Sequence, residues 1–182
     1  MAFKDGTVNP RHTDEYKDYV FIDDGWAKNG TYCIIRRIQI HIETWDRTAL
    51  EEQEATFGRK RISGAPLTGK KEFDEMDLGA KDSSGEYVIP ADAHARLAHE
   101  AKTSIKRRAY NYTAGTNDKT GALETGLLFI SFQKATQQFI DIQNHLGHKD
   151  KLNEYITHRA SATFIVLPGV KKGGYLGETL FD

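Results

Sequence analysis

Cysteine is nearly absent. The lone Cys33 can form no internal disulfide and no thiolate metal cluster, and its place inside an apolar run predicts a buried core thiol. Long hydrophobic runs are missing too: no segment reaches the roughly 18 to 20 apolar residues that span a bilayer, and no secretory signal precedes Phe3. Nor is there an excess of one charge. Lys plus Arg number 25 against 26 for Asp plus Glu, so no large field attracts nucleic acid or an anionic membrane surface. Repeats and low-complexity tracts are absent. What is present, 182 residues with 38% hydrophobic content, is enough for one sizeable core and too little for two comfortable domains.

The aromatic run Tyr19-Val20-Phe21-Ile22, closed by Asp23-Asp24-Gly25, predicts a short strand and a turn. Residues 31–43 alternate Ile34, Ile38, Ile40 and Ile42 with polar residues, the period of a half-buried strand. A helix is expected from Asp46 or Thr48, with Thr48 and Glu51 at capping-box spacing, to Phe57, where Gly58 stops it. Residues 59–90 are rich in Gly, Lys, Asp and Ser and lack periodicity, a length that marks a functional or disordered loop. Residues 94–102 predict a short helix and 106–113 a strand. Hairpin chemistry at 117–121 then leads into the strongest strand signal, 126–133. A helix over 136–146 ends at Gly147, a shorter one covers 151–157, and a last strand covers 162–167. The order strand, helix, strand, strand, helix, strand is the ferredoxin-like βαββαβ pattern of an α+β protein. It predicts an antiparallel sheet with helices on one face and an insertion over residues 59–105.

Chemistry concentrates in two stretches. Asp92-Ala93-His94-Ala95-Arg96-Leu97 puts an imidazole on a helix, with His99 as its rival, and Lys106-Arg107-Arg108-Ala109-Tyr110-Asn111-Tyr112 opens a strand with two arginines. Neighbours on a strand face opposite sides, so only one of Arg107 and Arg108 can look into a given pocket. The plain readings are a surface histidine and two salt-bridging arginines. Asp5 reads as a turn residue in Asp5-Gly6-Thr7-Val8-Asn9-Pro10, Leu127 and Phe129 as ordinary core, and Arg96 as an exposed helix arginine. His145 and His148 straddle a helix end and complete no metal site. Lys171-Lys172-Gly173-Gly174 lacks the spacing of a phosphate loop.

Set together in this order, the three segments resemble the dye-decolorizing (DyP-type) haem peroxidases, in particular their deferrochelatase/peroxidase branch. The family's Gly-x-x-Asp-Gly motif stands here as Ala2-Phe3-Lys4-Asp5-Gly6, with alanine at the first glycine. The family's chains are about twice this length, so the resemblance implies a carboxy-terminal haem-binding domain over residues 1–182 with the amino-terminal ferredoxin-like domain absent. It also implies haem b as cofactor, His94 as the iron ligand, Asp5 as the acid-base group above the iron and Arg107 as the charge beside it. Arg96, Gly6, Thr7, Leu127 and Phe129 are implied to line the cofactor. Implied partners are hydrogen peroxide and organic electron donors, with iron release from haem as a further activity, and related proteins are cytoplasmic or exported by the twin-arginine route. The same resemblance leaves open a catalytically silent half-domain that self-associates as a homo-oligomer or awaits its missing half.

Overall fold

A computed structural model describes residues 1–9 and 11–181; Pro10 of the amino-terminal motif and Asp182 lie outside the described residues. In chain order the elements are α1 (Thr13–Tyr19), β1 (Thr31–Ile40), α2 (Ile42–Arg47), α3 (Leu50–Phe57), α4 (His94–Glu100), β2 (Lys106–Arg107), β3 (Tyr110–Thr116), β4 (Leu123–Gln133), α5 (Thr136–Leu146) and β5 (Ile156–Val166). A 3₁₀ turn at Lys151–Glu154 precedes β5 and another spans Glu178–Leu180. The β1 strand is central because its isoleucines can be covered on both flanks. It pairs antiparallel with β4 on one side and β5 on the other, and β2 and β3 both pair with the outer side of β4. The result is a five-stranded antiparallel sheet, the ferredoxin-like α+β arrangement anticipated from the element order.

Two packed regions hold it. Ile34 of β1, Ile105 and Phe139 of α5 form a buried cluster, with Phe129 and Ile142 against it, so α5 lies on the sheet face that carries Ile34. The second is an aromatic knot. Trp45, 1% exposed, meets Tyr155 edge-on at 4.9 Å and Phe57 at 5.7 Å, while Phe3 stacks on Phe57 at 4.2 Å. Such pairs contribute roughly 0.5–1.5 kcal/mol each beyond the burial of their area. The knot ties α2, α3 and the start of β5 to the amino-terminal segment. Among the described residues, no helix is long and apolar enough to cross a membrane.

Several local expectations need correction. No strand forms at 19–22: Tyr19 ends α1, and the Val20 and Phe21 amides both donate to the Tyr16 carbonyl (2.8 and 3.0 Å). The α1 helix buries no residue, so it leaves no apolar stripe to read in the sequence. The strand expected to reach residue 43 stops at Ile40, because Ile42 opens α2. Thr48 caps nothing downstream. Its hydroxyl donates to Thr44 O at 3.1 Å, and α3 begins at Leu50 without a side-chain cap. The junction is carried by buried Gln53, whose amide donates to Trp45 O and Thr48 O. The expected helix at 151–157 is one 3₁₀ turn, since Ile156 and Thr157 already pair with Ile40 and Gln39 of β1. That early start makes β5 longer than the 162–167 expected, with polar Thr157, His158 and Arg159 masking its first half. Gly58 does stop α3: its φ of +76° is the left-handed conformation of a helix C-cap, and its N–H returns to Glu54 O. From there to α4 the described chain makes no strand or helix, only the isolated bridges Arg59 with Pro66 and Lys81 with Tyr87.

Candidate cofactor site

His94 is the first residue of α4, and its ring is held from behind. Nδ1 donates to Oδ2 of Asp150 at 2.7 Å, while Oδ1 of the same carboxylate accepts the Leu152 amide at 2.9 Å and caps the 3₁₀ turn. Asp150 is 5% exposed, so its orientation is set by these two bonds rather than by water. A carboxylate oxygen can only accept, which puts the proton on Nδ1 and leaves the Nε2 lone pair available; this is the arrangement that orients metal-binding histidines. His99, the rival, is exposed on the last turn of α4. Sequence reasoning missed Asp150 because it lies 56 positions from His94, beyond a helix end that reads as ordinary turn chemistry.

Asp5 and Arg107 come together. Arg107 Nη2 forms an ion pair with Asp5 Oδ1 at 3.2 Å, and the same oxygen accepts the Gly6 amide at 2.7 Å, a turn that requires the Gly6 φ of +80°. The Asp5 side chain is half exposed (50%). Register decides between the two arginines. Arg107 is opposite Ser131, itself opposite Ile34, so Arg107 shares the α5 face with Leu127 and Phe129, while Arg108 lies on the other face. Phe129 packs on Phe139 at 6.0 Å within the core cluster, and Leu127 is half-buried opposite Ile38 and Asn111.

The backbone of Arg107 is fixed by a residue the sequence reading did not single out. Asn9 donates from Nδ2 to Arg107 O and accepts the Arg107 amide at Oδ1, both at 2.9 Å. Its side-chain amide thereby completes a sheet-like pair with β2. Arg59, also overlooked, follows the Gly58 stop and donates to Gly64 O and Glu72 O (2.8 and 3.1 Å). Burial lowers its pKa first, opposed by the Glu72 charge and reinforced by the charge of Arg107, which puts two guanidinium groups near the Asp5 side of the site. Thr7 donates its hydroxyl to Glu72 (3.0 Å) and Lys4 pairs with the same carboxylate (2.7 Å), stapling the motif to the 59–93 segment. Arg96 is not exposed: its side chain, 11% accessible, donates to Glu100 and to Ile89 O and covers the Tyr87 ring at 4.5 Å.

A run of aromatic contacts links the two pairs. Phe57 meets the His94 ring edge-on at 6.1 Å and stacks on Phe3, two residues before Asp5. Among the described residues, no three His, Cys, Asp or Glu side chains come together as a metal cluster.

Known proteins match the chain along its length. The family model described as Dyp-type peroxidase, C-terminal, matches residues 1–171. The chain is 37% identical over 196 residues to a deferrochelatase of Yersinia pestis, covering 100% of this chain and 44% of that protein. Among solved structures, the oxyferrous complex of DtpA from Streptomyces lividans superposes with a TM-score of 0.93 at 35% identity, covering 100% of this chain and 52% of that one. A DyP-type peroxidase from Cellulomonas bogoriensis gives 0.91 at 37% identity, with 100% and 51% coverage. The chain therefore spans about half the length of the relatives it matches. It belongs to the DyP-type peroxidase family, matching the model of that family's carboxy-terminal region.

Proposed function

We propose that this chain is the haem-binding, peroxide-handling portion of a DyP-type peroxidase. The observation that carries this reading is the Asp150–His94 pair, linked through Phe57 and Phe3 to the segment that holds the Asp5–Arg107 pair. The donor set fits haem. A bare ion would find one nitrogen here, whereas an iron carried in a porphyrin would need only one imidazole from the protein, and His94 would supply it. Haem, when bound, supplies the redox chemistry by which hydrogen peroxide oxidises organic donors.

The chain's own residues do the rest. Asp150 keeps the Nδ1 proton of His94 in place, so Nε2 would hold the iron with a fixed ring orientation. Asp5 Oδ1 is taken by Gly6 and Arg107, leaving Oδ2 to accept a proton from one peroxide oxygen and return it to the other. Arg107, anchored at its backbone by Asn9, supplies a permanent positive charge for the departing oxygen. Leu127, on the sheet face it shares with Arg107, would offer the cofactor an apolar surface, and Phe129 backs that face from the core cluster. The 59–93 segment, held by Arg96 and Glu72, forms the wall around the cofactor. The name deferrochelatase extends the reading to iron release from haem as a second activity of the same site.

The half-exposed Asp5 favours a second reading, in which the chain by itself is a catalytically silent half that needs covering before it turns over. Peroxide-dependent oxidation of a phenolic dye by the haem-loaded chain separates them. The first reading expects turnover that falls by about 100- to 10,000-fold in Asp5→Asn and about 100- to 1,000-fold in Arg107→Leu. Stoichiometric haem without turnover would leave the silent reading standing.

A further inference from the structure

We propose that the cleft between α5 and the β1–β5 pair is a second binding site, for a small monocarboxylate with an apolar body. The cleft has a volume of about 270 Å³ and shares no residue with the candidate haem site. Its floor is Arg36, a half-buried guanidinium on the central strand. The Arg36 partners are all neutral: Nε donates to Ser161 Oγ at 2.7 Å, Nη1 donates to Gln143 Oε1, and the Phe139 ring lies 4.7 Å from the guanidinium carbon. In this it differs from Arg96 and Arg107, each of which meets a carboxylate. Charge taken partly out of water without an opposite charge is costly, and an arriving carboxylate removes that cost. Burial lowers the Arg36 pKa, in agreement with that desolvation.

The rest of the lining fits such a ligand. Ser161 and Thr163 offer hydroxyls on the β5 side, which is open to solvent, while Ile34, Phe139 and Ile140 offer an apolar wall. Drug-sized ligands fill roughly 300–1,000 Å³, so the cleft suits a single ring carrying one carboxylate. The site stands independently of whether His94 holds haem.

Benzoate is the probe, titrated calorimetrically into the 182-residue chain, with benzamide as the uncharged control. One saturable benzoate per chain is expected, with no benzamide binding, at least 10-fold weakening in Arg36→Gln, and loss in Ile140→Trp. Ile140 is 43% exposed, so the indole introduced by Ile140→Trp fills the cleft without entering the core. Should Arg36→Gln fail to fold, Ile140→Trp decides. Binding should persist in His94→Ala and in haem-saturated protein. No benzoate binding, equal binding of benzamide, unchanged binding in Ile140→Trp, or loss of binding when haem is added would overturn the proposal; the last result would assign Arg36 to the haem carboxylates.

Discussion

Asp150 caps a 3₁₀ turn with one oxygen and orients His94 with the other, so a single carboxylate couples local backbone geometry to the candidate ligand. Replacing it by alanine frees the ring to rotate and lets either nitrogen carry the proton. Haem affinity should fall by about 10- to 100-fold in Asp150→Ala with His94 still present, measured by competition against a haem scavenger. At this scale the sequence was readable where function sits in a contiguous motif. Asp5, Gly6, His94 and Arg107 were singled out through the family resemblance of contiguous segments, and the structure sets Asp5 against Arg107 and Asp150 against His94. Asp150 and Asn9 could not, because their work is defined by partners 56 and 98 positions away. Arg96 was misread as exposed because its packing partner, Tyr87, lies in a segment without periodicity to predict its path.

The 59–93 segment is held by capped turns and carboxylates rather than by a core. Lys4 and then Thr7 lower the Glu72 pKa, the Lys70 and Lys71 amides lower that of Asp74, and the Ser84 hydroxyl and amide lower that of Asp82. A carboxyl with a depressed folded pKa stabilises the fold above its unfolded value and loses that contribution as pH falls through the folded value. The segment should therefore loosen on acidification below about pH 4, the ordinary carboxylate range. Hydrogen exchange should rise there before it rises in β1, whereas simultaneous exchange of both would contradict the account. Haem should act in the opposite direction and slow proteolytic cleavage of the segment near neutral pH. Elements with a buried stripe were predictable: α5 runs Thr136–Leu146, as Phe139, Ile140, Ile142 and Gly147 imply. The α1 helix, which buries nothing, and the polar first half of β5 were not.

Across the whole molecule, β5 is the sheet edge beyond β1, and from Ala160 to Leu167 it carries no charged side chain while Phe164 and Val166 are 52% and 41% exposed. A long, apolar, unpaired edge is a template for further strands. The isolated chain should self-associate in a concentration-dependent way, and Phe164→Lys should shift it toward monomer in light scattering without lowering its melting temperature by more than a few degrees.

The central claim is that His94, oriented by Asp150, holds haem iron. Visible absorption during haem titration of the purified chain, with His94→Ala and His99→Ala beside it, tests this most directly. The account predicts a stoichiometric Soret shift that persists in His99→Ala and is lost in His94→Ala. An unchanged shift in His94→Ala, or one lost only with His99, would contradict it.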